Sequence, residues 1–94
     1  MLTFEQLGIR AELRNAITEL GFETPMAIQE QVIPEILNTD NDIIGLSQTG
    51  SGKTAAYGLP ILNNMDNDLQ SPYLLILSPT RELCIQITRD MSAF

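Results

Sequence analysis

Apolar positions return at helical spacing along four stretches of the chain and run together along two others. Ile9, Leu13, Ala16, Ile17 and Leu20 share one face, with Arg10, Glu12, Arg14 and Glu19 mostly off it, which predicts an amphipathic helix from Ile9. Gly21 is placed to stop it. Residues 1–8 ahead of it read as extended, with Phe4 and Leu7 as apolar anchors. A second helix is predicted from Thr24-Pro25, with threonine as N-cap and proline at the first helical position. Its buried side would hold Ile28, Val32 and Ile36, and Pro34 predicts a kink or a division into two shorter helices. Residues 42–46 (Asp-Ile-Ile-Gly-Leu) and 73–77 (Tyr-Leu-Leu-Ile-Leu) are short apolar runs of strand character, the second suited to a parallel strand covered on both faces. A third helix should run from Lys53 to about Asn64, distorted at Pro60. The last, from Arg81, places Leu83, Ile87, Met91 and Phe94 together.

This order predicts an α/β fold: a right-handed βαβ unit of a parallel sheet with flanking helices. Residues 1–38 form a helical extension, and residues 39–94 open the sheet domain. Two strands cannot bury both faces of a parallel sheet, so the sheet is incomplete within this span and weak folding in isolation is expected.

Composition narrows the possibilities. Ninety-four residues, 44% apolar and 18% charged, suit one small globular domain. A net charge of −7 excludes a broad basic surface, so any nucleic acid would be held by a few placed groups. With one cysteine, Cys84, and no histidine, neither an intrachain disulfide nor a zinc cluster is spelled out. Cys84 is expected to pack as a small hydrophobe. No signal peptide is visible and no apolar run reaches the ~18 residues that span a bilayer, so no membrane role and a cytoplasmic setting are expected.

Candidate chemistry lies between the first strand and the third helix, in Ser47-Gln48-Thr49-Gly50-Ser51-Gly52-Lys53-Thr54. Strand, glycine-rich turn and helix form the context of a phosphate-binding loop. Gly50 and Gly52 let successive N–H groups converge on phosphate oxygens, and the helix N-terminus adds positive potential. Lys53 supplies a full charge for the β- and γ-phosphates, and the Thr54 hydroxyl can ligate Mg²⁺. The general pattern asks for glycine where Ser47 stands. A flexible Gly/Ser linker is the bland alternative, but a linker would not join an apolar strand to an apolar helix.

Two flanking stretches complete a constellation: Gly21-Phe22-Glu23-Thr24-Pro25-Met26-Ala27-Ile28-Gln29, with Phe4 upstream, and Pro79-Thr80-Arg81-Glu82-Leu83-Cys84-Ile85-Gln86. In order and spacing these resemble the Q motif, motif I and motif Ia of the DEAD-box RNA helicases, a likeness that covers essentially the whole chain. It implies a P-loop NTPase, RecA-like fold, of which this chain would be the opening part of the first domain. It also implies use of ATP and Mg²⁺ and binding of single-stranded or short duplex RNA. By the resemblance Gln29 reads adenine and Phe4 packs near the base, although Phe4 also reads as a plain core anchor. Phe22 shapes the turn that aims Gln29. Ser47, which stands where the family has alanine, Gln48, Thr49, Gly50, Ser51 and Gly52 cradle phosphate, and Lys53 and Thr54 serve catalysis. Pro79, Thr80 and Arg81 would touch RNA phosphates, with a structural ion pair as the alternative for Arg81. Neither the Asp-Glu-Ala-Asp nor the Ser-Ala-Thr motif occurs in this span, nor does a second RecA-like domain with its arginine finger. The span alone is therefore expected to be inactive. A non-catalytic nucleotide-binding module shares every motif and stays open, as does a P-loop ATPase or kinase of another family.

Overall fold

The computed structural model describes residues 2–48, 50, 52–65 and 73–94. Four helices follow in order: α1 (Ala11–Glu19), α2 (Ala27–Asn38), α3 (Lys53–Asn63) and α4 (Arg81–Ala93). α3 packs along α2, and α4 lies against α3.

The N-terminal segment is a compact turn where extended chain was expected. Leu7, Gly8 and Ile9 donate backbone hydrogen bonds to Thr3, Glu5 and Phe4. The turn folds Phe4, Leu7 and Ile9 inward, where they form the core with Leu13 and Ile17 of α1, Ile33 of α2, and Ala55 and Leu59 of α3. This core crosses residue 38, so the helical extension and the start of the next segment share one interior. Asn63, the last residue of α3, closes it: its Oδ1 accepts from the Arg10 N–H at 2.7 Å, and its Nδ2 donates to the Gly8 carbonyl at 3.2 Å.

α1 starts two residues later than expected and ends as expected at Gly21. There φ is +96°, the Gly21 N–H bonds the Thr18 carbonyl, and the Phe22 N–H bonds the Ile17 carbonyl at 2.9 Å. This double closure requires a left-handed residue, and only glycine adopts it without strain. Leu20, expected inside, is exposed.

Both prolines lie inside helices that run on through them, so α2 is not divided at Pro34 into two shorter helices. Pro34 lies within α2, and Pro60 is buried within α3. Each removes one N–H from the helical ladder, a cost of roughly 3 kcal/mol that the packing of α2 on α3 outweighs. The start of α2 also differs. Its N-cap is Met26, and Thr24-Pro25 precede the helix. Gln29 and Ile33 form its buried stripe, while Ile28, Val32 and Ile36 are half-buried on a second face that looks toward Ile43 and Gly45.

The expected sheet is absent among the described residues, where segments 42–46 and 73–77 carry no strand hydrogen bonding. Both keep an alternating habit. Leu74 and Ile76 are half-buried beneath α4, while Leu75 and Leu77 are exposed; Gly45 lies near Val32 and Ile28, while Ile44 and Leu46 point outward. A strand is completed by backbone partners on a neighbouring segment, and neither run has one among the described residues. α4 begins as expected, with the Thr80 Oγ1 accepting from the Leu83 N–H at 3.2 Å. None of its residues is fully buried, although Ile87, Met91 and Phe94 are partly covered. Cys84 is exposed, which corrects the expectation that it packs.

Candidate functional site

The loop between residue 46 and α3 ends on two left-handed glycines. Gly50 has φ +80°, and Gly52, the N-cap of α3, has φ +87°. Gly52 is crowded as well as left-handed: a Cβ there would collide with Gln29 Nε2 and lie 2.8 Å from Met26 Sδ. Glycine is demanded by the backbone conformation, and a larger residue would in addition have to displace the ends of the Gln29 and Met26 side chains. Immediately after it, Lys53 and Thr54 open α3, whose free N–H groups face the same point.

Gln29 ties this loop to α2. Its Oε1 accepts from the Met26 N–H at 2.8 Å, and its Nε2 donates to the Gly52 carbonyl at 3.2 Å. The side chain is 1% exposed, the one fully buried polar residue of the described core. Such burial is stable because both ends of the amide are bonded. One bond finishes the N-terminus of α2, and the other fixes the residue on which α3 starts.

A cleft of about 520 Å³ opens above this junction. Phe22, Met26, Gln48, Gly50, Gly52, Lys53 and Thr54 line one side, and Leu83, Gln86, Ile87, Asp90 and Phe94 of α4 line the other. Lys53 is exposed and Thr54 half-buried, so a cation and a hydroxyl are both offered to whatever enters. Ser47 is half-buried beside the loop. Thr49 and Ser51 lie outside the described residues. Phe4 sits behind the cleft wall: it belongs to the core, and its ring meets Phe22 at a centroid distance of 6.4 Å.

Pro79, Thr80 and Arg81 are exposed and do not line this cleft. The Thr80 hydroxyl caps α4, and its carbonyl accepts from the Ser78 hydroxyl at 2.8 Å. Arg81 is in neither ion pair found among the described residues, which are Arg10–Glu12 and Arg14–Glu5. Its guanidinium is thus available at the N-terminus of a helix.

Sequence reasoning missed the α4 wall. Phe94 reaches across to Phe22, ring centroids 6.1 Å apart and nearly perpendicular. Gly58 permits this approach, since a Cβ there would lie 2.6 Å from Met91 Sδ. A glycine inside an apolar helix was the available signal for a close helix–helix contact. Among the described residues no group of three or more His, Cys, Asp or Glu could hold a metal, and no helix is long and apolar enough to cross a membrane.

Known proteins resemble this chain in sequence and in fold. The family model for the DEAD/DEAH box helicases matches residues 26–94, from the N-cap of α2 to the end of α4. The chain is 49% identical over 92 residues to the ATP-dependent RNA helicase DeaD of Klebsiella pneumoniae, a match that takes in 98% of this chain and 14% of that relative. Among solved structures, a DEAD box protein from the hyperthermophile Methanococcus jannaschii superposes with a TM-score of 0.90 at 36% identity, over 99% of this chain and 25% of that one. The RNA-helicase Prp28 from Chaetomium thermophilum, bound to ADP, gives 0.86 at 40% identity, over 99% of this chain and 24% of its own. The chain therefore spans a small part of the length of these relatives, and by family model, sequence and structure alike it belongs to the DEAD/DEAH box helicases.

Proposed function

We propose that the protein carrying this chain is an ATP-dependent RNA helicase, binding ATP with Mg²⁺ and single-stranded RNA to separate short duplexes. The observation that carries this is the convergence of Gly50, Gly52, Lys53 and Thr54 on one cleft, braced from α2 by Gln29. The naming of the DeaD relative as an ATP-dependent RNA helicase supports it.

In this reading Ser47 to Gly52 (Ser47, Gln48, Thr49, Gly50, Ser51, Gly52) cradle phosphate through the backbone, and Lys53 meets the β- and γ-phosphates. Gln29 acts twice. It holds Gly52, and once uncovered from its buried place behind the cleft lining its amide has one donor and one acceptor to spare, which suits an adenine edge with one acceptor and one amine. Phe22 supplies an apolar wall, with Phe4 supporting it from behind. The Thr54 hydroxyl is a hard oxygen ligand that suits Mg²⁺, an ion that usually takes few protein oxygens and completes its shell with nucleotide phosphates and water. When bound, the ion would neutralise charge on the phosphates. Pro79, Thr80 and Arg81 form a separate exposed site for RNA phosphates.

Residues 39–94 would open a RecA-like parallel sheet behind the helical extension of residues 1–38. Segments 42–46 and 73–77 would be two of its strands, with the rest of that domain and a second RecA-like domain as partners. A cytoplasmic setting is part of the same proposal. The 94-residue span alone is proposed to be inactive, because lack of an arginine finger alone lowers phosphoryl-transfer rates by roughly 10³–10⁵.

The test is equilibrium binding of a fluorescent ATP analogue to the intact protein. Lys53→Ala should weaken binding about tenfold to hundredfold, the scale of a lost hydrogen bond to a charged group. Gln29→Ala should reduce the preference for ATP over GTP in competition. Binding that Lys53→Ala leaves unchanged would refute the proposal.

A further inference from the structure

Met26 occupies an unusual place for a thioether. Helix N-caps are normally short polar side chains, and sulfur is a weak acceptor, so the strong half of the cap here is the Gln29 Oε1 bond to the Met26 N–H. The Met26 side chain turns instead onto Gly52, its Sδ 2.8 Å from the position a Cβ would take there. Gln29 Nε2 crowds the same position and donates to the Gly52 carbonyl. Met26 is also 46% exposed and lines the cleft beside Lys53. A half-exposed methionine therefore lines the cleft and presses its oxidisable sulfur against the phosphate loop.

We propose that Met26 makes this loop sensitive to oxidants, an inference that rests on the nucleotide-binding reading above. The reagent is a hydroperoxide. The Sδ lone pair attacks the terminal peroxide oxygen, the O–O bond breaks, and the remaining oxygen leaves as water or an alcohol after taking up the proton. Sulfur is oxidised by two electrons to the sulfoxide as the peroxide is reduced. The new oxygen is a strong acceptor placed next to Gln29 Nε2. It draws on the second Nε2 hydrogen, the one the Gly52 carbonyl does not use, pulling the amide off Gly52, and it adds volume where the contact is already tight. The brace between α2 and the start of α3 is loosened, and the loop loses its prepared geometry.

The experiment uses the intact protein with Cys84→Ser, which removes the exposed thiol as a competing target. Hydrogen peroxide is applied, the sulfoxide is located by peptide mass spectrometry, and binding of a fluorescent ADP analogue is measured before and after. Oxidised protein should bind about tenfold more weakly, the scale of a polar atom forced into a packed contact, and methionine sulfoxide reductases should restore it. Met26→Leu should keep its own untreated affinity after the same exposure. Unchanged affinity with Met26 converted to sulfoxide would overturn the proposal, as would an equal loss in Met26→Leu. If untreated protein binds no ADP, the nucleotide reading fails instead. The brace is then read from exchange of the Ala56 amide, which bonds the Gly52 carbonyl: faster exchange on oxidation supports the inference, and unchanged exchange overturns it.

Discussion

The helical core and the two apolar runs are built from the same kinds of residue and meet opposite fates. Ile33 and Leu59 have no exposed surface at all. Ile44 and Leu46 are 90% and 89% exposed, Leu75 and Leu77 81% and 86%. Hydropathy does not separate these two groups. What separates them is where backbone hydrogen bonds come from. A helix satisfies its own N–H and C=O groups and needs only one covered face, which α1, α2, α3 and the N-terminal turn give one another. An extended run has its backbone groups at its edges and side chains on both faces, so it needs partners in two directions. Here each run is covered from one side only. The apolar pattern says that a residue is suited to burial, and topology decides whether anything arrives to bury it.

The largest effect should come from cutting into the closed region. Ile33→Ala removes a side chain at the meeting point of α1, α2 and α3 and should cost about 2–5 kcal/mol. A core this small supplies little more than that in total, so the helical far-ultraviolet circular dichroism should collapse at room temperature. A mutant that keeps its helical signal and thermal transition would show that the core is not closed around Ile33.

The helices and their periodic faces were legible because spacing of three and four is a local signal. Leu13, Ile17, Ile87 and Met91 were all readable this way, and so was the stop at Gly21. The departures share one cause, which is that tertiary contact overrides local preference. α2 runs undivided through Pro34 because α2 and α3 hold each other. The turn at Phe4 forms because Phe4 and Leu7 have a core to enter. α2 takes Met26 as its N-cap, in place of the better-suited Thr24, because Gln29 supplies the cap from within the helix. In the site, the glycine–lysine–threonine loop was plain from spacing alone. The tie from Gln29 to Gly52, the placing of Phe4 behind Phe22, and the α4 wall were not, since each depends on pairs far apart in the chain.

A smaller effect should separate α4 from the core. Thr80 is the side-chain cap of this helix, which has no fully buried residue to anchor it. Thr80→Ala should cost about 1 kcal/mol, felt within α4 and not beyond it. Hydrogen exchange reads this directly. The amides of Leu83 and Cys84, which bond the Thr80 side chain and carbonyl, should exchange faster, while that of Phe22, bonded to Ile17, should not change. Equal acceleration at both ends would mean that α4 and the core unfold as one unit, and the contrast between the regions would be lost.

The smallest effect is also the one that bears on the sheet. Leu77→Ala removes a side chain that touches little in this span, so its cost should stay within about 0.5 kcal/mol, as for other exposed positions. The same change in the intact protein should behave differently if residues 73–77 form a strand covered on both faces. It then becomes a core truncation, and its cost should rise toward the roughly 2–5 kcal/mol of Ile33→Ala. Denaturant midpoints of the span and of the intact protein, each with and without Leu77→Ala, measure this difference. A cost that grows with the length of chain supports the strand. A cost that stays near zero in the intact protein would show that this apolar run remains uncovered, and the parallel sheet proposed for it would have to be abandoned.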